Sequence, residues 1–235
     1  METVLLIASE AEEYDGLARR LAPMNRISLP VRYARTVEHR GRQWLLMANG
    51  PGYRLASAAL RTVLKRMPVA AVVSAGYCGG LDRSLKPLNI FVASKVVVVE
   101  TGAEFPAANP PCGRSPQAGL LASQDRVAVG AEEKRALREK TGASAVDMES
   151  SIVAEFAFSA GVPFYCVRVV TDAAEDSFTL DFNNFRDEAG RFRKALIMRE
   201  ALRKPGTHLG PLLALRRRCR HASKELGEYL AGCDF

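Results

Sequence analysis

The sequence predicts an α/β fold in which one central mixed β-sheet is flanked by helices. Apolar runs of strand length alternate with helix-like patterns, which is typical of α/β domains. The clearest alternation spans 145–176, where a short strand, a helix with apolar residues three and four apart, and an apolar strand over 164–170 follow one another. Since 48% of the 235 residues are hydrophobic, one domain of 1–235 can bury a sizeable core.

The other predicted elements follow from the same patterns. The loop NGPG at 49–52 precedes a helix, and the strand that follows this helix runs into the Gly-rich turn AGYCGG at 75–80. The proline-rich stretch 102–118 predicts a loop over a site or at a subunit contact. The predicted strands are 4–8, 28–48 (antiparallel), 69–74 and 90–99, and the predicted helices are about 53–67 and 131–140, the latter a charged surface helix.

Charge and cysteine content limit the possible partners and cofactors. The net charge is +7, with much of the excess in 191–224, and we interpret it as a solvated helix face, not a nucleic-acid site. The five cysteines are odd in number and show no CxxC spacing, which predicts reduced thiols in a cytoplasmic protein. No metal or organic cofactor is indicated. The N-terminus predicts a first strand and not a signal peptide.

Carboxylates follow two of the predicted strands. Asp147 and Glu149 end the short strand of the 145–176 stretch, and Asp172 ends its apolar strand. Open α/β sheets bind ligands in the crevice at the carboxyl ends of their strands. We therefore expect a binding site that contains these acids. The alternative is that Asp147 and Glu149 begin the next helix and that Asp172 caps one.

Several motifs in order resemble a known family. They are the opening strand with Glu10 and Glu12, the NGPG loop, SAGYCGGL, VDMES and VPFYCVRVVTDAAED. Over about residues 3–200 the chain resembles the nucleoside phosphorylase superfamily, and within it the methylthioadenosine/S-adenosylhomocysteine nucleosidases. The segment SQDRV…KTGASAVDMES is also similar to the hopanoid-associated branch, which removes adenine from adenosylhopane. A nucleoside phosphorylase-like fold is therefore expected.

The resemblance implies roles for individual residues. Asp172 is the general acid that protonates the departing purine, and such a proton transfer contributes about 10²–10⁴-fold to the rate. Glu149 binds the ribose hydroxyls, Met148 packs under the sugar, and Glu12 positions the attacking water. Glu12 also fits a capping box with Ser9, a role compatible with the catalytic one. The other expected substrate-binding residues are Asp147, Ala75, Gly76, Tyr77 and Val127.

The sequence departs from the family at two positions. Tyr77 replaces a serine of the turn, and Val127 lies where the nucleosidases have an aromatic residue that stacks on the purine. The turn also lacks the arginine with which phosphorylases hold phosphate. Five arginines could supply cations instead, although solvated charges are the simpler interpretation: Arg32, Arg35, Arg40, Arg42 and Arg54.

These residues predict an N-ribosidase that cleaves a purine nucleoside or a 5′-substituted adenosine, with water as the nucleophile. The alternatives are a phosphate-dependent phosphorylase, including one for a lipid-linked adenosine, and a non-catalytic nucleoside-binding protein. We expect a homo-oligomer. A basic amphipathic helix is predicted over about 209–233, either packed on the domain or in peripheral contact with an anionic membrane.

Overall fold

The computed structural model describes residues 1–64, 66–113 and 116–235. Its ten strands form one sheet, in which β1, β4, β5 and β10 run parallel and several other pairs are antiparallel. The mixed sheet predicted from the sequence is therefore confirmed. The strands are β1 (Thr3–Ala8), β2 (Asn25–Arg26), β3 (Tyr33–His39), β4 (Arg42–Ala48), β5 (Ala71–Gly80), β6 (Ile90–Val98), β7 (Glu104–Pro106), β8 (Gln117–Ser123), β9 (Ala145–Asp147) and β10 (Phe164–Asp172).

Half of the sheet closes on itself. The strand order is β10-β6-β8-β9-β5-β1-β4-β3-β2, and β10 also pairs with β5, which makes a ring of β5, β10, β6, β8 and β9. β1, β5 and β10 are mutually parallel, so their carboxyl ends reach the same edge of the sheet. The predicted acids after β9 and β10 belong to this ring, and the first acidic residues follow β1.

Helices cover both faces of the sheet, as the sequence predicts. Leu5 and Ile7 of β1 point into a core shared with the helices α2 (Tyr53–Leu64) and α4 (Ser150–Ala160). Val4 and Leu6 point into a second core shared with α1 (Asp15–Arg20) and α6 (Pro205–Ala231). This alternation is the two-residue period of a strand buried on both faces. The helices are α1 (Asp15–Arg20), α2 (Tyr53–Leu64), α3 (Ala131–Thr141), α4 (Ser150–Ala160), α5 (Lys194–Arg203) and α6 (Pro205–Ala231), with 3-10 helices at Ala11–Tyr14 and Phe182–Phe185.

The basic C-terminal helix α6 starts earlier than predicted and packs on the domain. Its stripe residues Ala222, Leu226 and Tyr229 are buried against α1 and the sheet, while Leu212 and Leu215 face the segment 176–182. The exposed side of the helix carries most of the basic residues: Arg216, Arg217, Arg220 and Lys224. The apolar stripe is thus used within the protein.

Two further predictions need correction. The structure joins Cys112 and Cys233 in a disulfide between the 102–118 loop and the C-terminus, so the expectation of reduced thiols is wrong for this pair. The capping box at the start of the chain uses Glu10 and Glu13, one residue later than the predicted Ser9 and Glu12. No helix in the described part of the chain combines the length and apolar content needed to cross a membrane.

Candidate active site

Arg168 on β10 is the centre of a buried polar cluster. Its side chain is 1% exposed, and its Nη2 donates to Ser74 Oγ (2.5 Å) and Ser150 Oγ (2.8 Å). The same nitrogen pairs with Asp147 Oδ2 at 2.5 Å, and Nη1 lies 3.9 Å from Glu149 Oε2. A charged side chain that is buried away from water needs such partners. The sequence signal was available: one arginine in an otherwise apolar run.

Glu149 lies between β9 and α4 and is buried. Its Oε1 accepts a hydrogen bond from the Gly52 amide at 2.8 Å. Burial raises the pKa of Glu149 to about 8, and the charge of Asp147 acts in the same direction. A Cβ at Gly52, whose φ is +89°, would lie 2.1 Å from Asp125 Oδ1, so the NGPG loop needs glycine there to reach Glu149. Met148 is half-buried beside it.

Glu13, and not the predicted Glu12, faces the cluster. It is buried, and its Oε1 accepts the Tyr77 amide at 2.9 Å while Oε2 accepts the Glu10 amide at 2.8 Å. Burial raises its pKa to about 7. A Cβ at Gly76, whose φ is +149°, would lie 2.7 Å from Glu13 Oε1 and 2.8 Å from Arg168 Nη1. Glycine at this turn therefore lets the carboxylate and the guanidinium approach the same place.

Glu12 lies outside this cluster. Its side chain is 59% exposed and pairs with Lys194 Nζ at 2.8 Å. The 3-10 helix explains the difference, because Glu10 begins it and only its third residue, Glu13, can turn back to the Glu10 amide. Because the capping box lies one residue later than predicted, Glu13 is the buried acid and Glu12 is the exposed one.

Asp172 ends β10 where the strand is irregular. The register with β5 shifts between Val170 and Asp172, which is a β-bulge that places Thr171 and Asp172 side by side. Thr171 Oγ1 donates to Asp172 Oδ1 at 2.8 Å, and Lys134 Nζ contacts Oδ2 at 2.5 Å. Burial raises the pKa of Asp172, against the opposing charge of Lys134. No helix starts at Asp172, so its alternative role as a helix cap does not apply.

The remaining predicted residues differ in how they meet the site. Ala75 is buried within β5, and Tyr77 contributes its amide to Glu13 while its hydroxyl donates to Cys219 O on α6 at 2.9 Å. Val127 is half-buried, and its backbone N–H and C=O are both bound by the Asn183 side chain. Asp147 also accepts the Ser150 amide at 3.0 Å, so its predicted alternative role at the start of α4 is real.

The segment 173–193 lies across this edge of the sheet. Arg186 donates to Asp125 O (2.6 Å), Asp125 Oδ1 (3.0 Å) and Gly190 O (2.9 Å). Arg54 donates to Glu188 O at 2.7 Å. Together with the Asn183–Val127 bonds, these contacts hold the segment against α2 and the loop that follows β8.

Few buried side-chain nitrogen and oxygen atoms in the described part of the chain are without a hydrogen-bond partner. They are Arg168 Nε, Arg168 Nη1, Asp147 Oδ1 and His208 Nδ1. Unsatisfied buried groups are rare in native proteins and often mark functional sites. The first three belong to the Arg168 cluster. Arg168 Nη1 in particular faces Glu13 and Glu149 with a hydrogen atom to donate, which suits a small oxygen-bearing group.

Three residues of the site escape the sequence prediction. They are Glu13, Arg168 and Lys134. Lys134 is on α3, which the sequence predicts as a charged surface helix, but it lies on the inward side of that helix with Leu137. The two are three residues apart, a spacing that puts them on one face.

The chain is similar in sequence to a known family and to two nucleosidases. The family model described as Phosphorylase superfamily matches residues 112–203. A 5′-methylthioadenosine/S-adenosylhomocysteine nucleosidase of Staphylococcus epidermidis is 24% identical over 214 residues, covering 78% of this chain and 92% of that protein. One of Haemophilus ducreyi is 28% identical over 166 residues, covering 60% and 72%.

Solved structures share the fold at low identity. A mutant of the Helicobacter pylori nucleosidase with 5′-methylthioadenosine in the active site superposes with a TM-score of 0.74 at 15% identity, covering 98% of this chain and 96% of that one. The Neisseria meningitidis enzyme in complex with methylthio-immucillin-A gives 0.74 at 17% identity, covering 99% and 98%. A futalosine hydrolase mutant of Helicobacter pylori gives 0.74 at 15%, covering 98% and 97%.

Proposed function

We propose that the chain is an N-ribosidase that hydrolyses an adenosine-type nucleoside, because the Phosphorylase superfamily model matches residues 112–203 and the chain is similar to nucleosidases over most of its length. The observation that carries this proposal is the pairing of two buried acidic centres at one sheet edge. Glu13, Glu149 and Arg168 form one centre, and Asp172, whose pKa is raised by burial, forms the other. The first suits a sugar and a nucleophile, and the second suits a leaving purine.

The proposed reaction needs a proton donated to the departing purine and stabilisation of the positive charge that develops on the ribose. As the C–N bond breaks, the purine gains negative charge and the ribose gains positive charge. Asp172 donates a proton to the purine, which a raised pKa favours. Glu149 binds the ribose hydroxyls, since its Oε1 is held by the Gly52 amide and its Oε2 has no backbone partner.

Glu13 replaces Glu12 as our candidate for positioning the attacking water. Its carboxylate is held by two backbone amides and lies beside the unpartnered Arg168 Nη1. A water bound between them has one donor and one acceptor, which fixes its orientation. The ionised Glu13 then takes a proton from this water as the new C–O bond forms.

The charges of the cluster favour water over phosphate. Arg168 already pairs with Asp147, and Glu13 and Glu149 are buried next to it. A phosphate dianion in this place would share one cation with several carboxylates, and like charges repel strongly in a dry site. A neutral water has no such penalty. Phosphorolysis therefore remains the second candidate, favoured only by the unpartnered N–H groups of Arg168.

Three of the five arginines considered for phosphate have other contacts. Arg35 lies over the Tyr33 ring at 4.9 Å, Arg42 is 3.6 Å from Glu2, and Arg54 binds Glu188 O. None of these contacts joins the arginine to the Arg168 cluster. They support the interpretation of these side chains as surface and loop charges.

The 5′ substituent of the substrate is not fixed by the cluster. A cavity of about 160 Å³ lies between 176–182 and α6, next to Asp176 and Arg218, and its walls include Phe178, Leu180 and Leu212. This apolar lining supports testing adenosines with extended apolar 5′ groups beside methylthioadenosine. Phe178 also brings a ring to within 5.6 Å of Lys134 Nζ, although Val127 supplies no aromatic ring.

The test is purine release by the purified protein from a panel of 5′-substituted adenosines, followed by chromatography. We expect release from at least one of them, and a loss of about 10²–10⁴-fold in kcat in Asp172→Asn with KM little changed. Asp234→Asn, which changes an exposed aspartate near the C-terminus, is the matched control and keeps full activity. Tight binding with no release from any substrate would instead support the non-catalytic alternative.

Two partner predictions stay open to experiment. Phe158 is 72% exposed on α4 and forms an edge-to-face pair with Phe105, which favours a homo-oligomer through this face; light scattering measures its mass. Peripheral membrane contact depends on the exposed basic residues of α6, because its stripe is packed on the domain. Flotation with anionic vesicles at low and high salt decides that point.

A further inference from the structure

Lys134 is a buried lysine whose donors are all engaged around the candidate acid. Its side chain is 1% exposed, and its Nζ contacts Asp172 Oδ2 at 2.5 Å. It also donates to Ala173 O at 2.8 Å and Asp176 O at 3.1 Å. An ammonium has three N–H donors, and these three acceptors use them all. The residue is thus built into the site from α3.

This contact conflicts with a simple role for Asp172. An aspartate in an ion pair has no proton to give to a leaving purine, yet an acid must be protonated at the moment of transfer. Burial disfavours the charged carboxylate, which brings the form with the proton moved from lysine to aspartate closer in free energy to the ion pair. One proton lies on the line between the two residues in either form.

The surroundings contain few other charges that could fulfil this task. From α6, Arg218 donates to Thr171 O and pairs with Asp176 Oδ2 at 3.0 Å. One turn along α3, Arg138 pairs with Asp82 at 2.5 Å. In each of these two pairs, the positive charge of the arginine is balanced by the aspartate that it contacts. The titratable groups that also face Asp172 are the thiols Cys78 and Cys219, whose pKa values are raised by burial.

We propose that Lys134 is the proton source of Asp172, so that the two residues act as one acid. The inference rests on the proposed N-ribosidase function. Lys134 acts through Asp172 and does not touch the substrate, so it is a positioning and proton-supplying residue. Asp172 remains the group that contacts the purine.

The proton transfers balance over one turnover. A Lys134 N–H bond breaks as an O–H bond forms on Asp172, and the Asp172 proton passes to the purine. The glycosidic C–N bond breaks with its electron pair on the purine nitrogen. The oxygen of water bonds to C1′, and the proton of the water goes to Glu13. Lys134 then regains a proton from solvent and Glu13 releases one.

The experiment compares the pH dependence of kcat in the wild type and in lysine variants. Lys134→Met removes the proton and the charge, whereas Lys134→Arg keeps a charge that does not deprotonate in proteins. Lys140→Met, an exposed lysine on the same helix, is the matched control. Thermal melting by circular dichroism identifies the variants that fold.

We expect kcat to fall about 100-fold in both Lys134 variants, with KM changed far less. In the wild type the two coupled groups hold their last proton more tightly than a lone buried carboxyl does. The alkaline limb of kcat is therefore expected to move to lower pH in Lys134→Met. Lys140→Met changes neither the rate nor the limb.

Several outcomes would overturn the inference. Full activity in Lys134→Arg would mean that only the charge matters. An alkaline limb of kcat at the same pH in the wild type and in a folded Lys134→Met would mean that a lone carboxyl is the acid. If the wild type is active and either result is found, the role of Lys134 is contradicted but the proposed N-ribosidase function is not. A wild type that releases purine from no nucleoside contradicts the proposed function, and this inference with it.

Discussion

Individual residues in this site owe their chemistry to burial and to a few neighbours. Glu12 and Glu13 are adjacent in sequence, yet one pairs with Lys194 at the surface and the other is enclosed beside Arg168. The raised pKa of Glu13, about 7, follows from desolvation. Two adjacent glutamates of one 3-10 helix therefore differ in role: Glu12 is a surface charge, and Glu13 is a candidate base.

This difference predicts opposite results for two matched variants. Glu13→Gln keeps the shape and can accept one of the two backbone amides, but it cannot take a proton from water, so we expect kcat to fall about 10²–10⁴-fold. Glu12→Gln loses only an exposed contact with Lys194 and keeps wild-type kinetics. Equal losses in the two variants, or a larger loss in Glu12→Gln, would return the role to Glu12.

The same assignment predicts the acid limb of the pH profile. Glu13 must be ionised to act as a base, and its raised pKa means that protonation removes activity as the pH falls through about 7. We therefore expect kcat/KM of the wild type to decline below this value. A profile that stays flat down to about pH 5, near the pKa of an ordinary glutamate, would contradict a buried base at this position.

At the scale of elements, close contact between two helices explains one glycine in α6 and one in α1. The sequence gives no reason for Gly227, which weakens an isolated helix by about 1 kcal/mol. In the structure a Cβ there would lie 2.2 Å from Leu17 N and 2.3 Å from Gly16 C. A Cβ at Gly16 would lie 2.1 Å from Ser223 O. The two glycines let α1 and α6 cross with their backbones in contact.

The helix contains its own control for this interpretation. Gly227→Ala forces the backbones apart, and we expect it to lower the free energy of unfolding by about 1–3 kcal/mol. Gly210→Ala, at an exposed position of α6 with no atom near the added Cβ, should raise it by up to about 1 kcal/mol. Urea denaturation measures both. A neutral Gly227→Ala would show that the crossing is looser than the structure indicates.

Element prediction from the sequence succeeded where periodicity was strong and failed where tertiary contacts decide. The apolar run after Pro163 reads as a central strand, and β10 is one. The role of α3 was missed because charged residues dominate its pattern, and only the fold shows that Lys134 faces Asp172. The Cys112–Cys233 disulfide joins positions 121 residues apart, and cysteine spacing carries no information on such a pairing.

At the scale of the whole molecule, the sheet topology gathers acids that are far apart in sequence. Glu13 follows β1, Glu149 follows β9 and Asp172 ends β10, and the closed ring of strands with β1 beside it brings them to one edge. The sequence predicts Glu149 and Asp172 at this edge because each follows a strand. It does not identify Arg168 as the common partner, since the pairing depends on which strands are neighbours.

The central claim is hydrolysis, and the fate of the sugar oxygen tests it most directly. The reaction is run in ¹⁸O-labelled water, with and without phosphate, on the best substrate of the adenosine panel. We predict phosphate-independent purine release and a free sugar that carries the label at its 1-hydroxyl, as read by mass spectrometry at early times in quenched samples. An unlabelled sugar 1-phosphate formed only when phosphate is present would contradict the account.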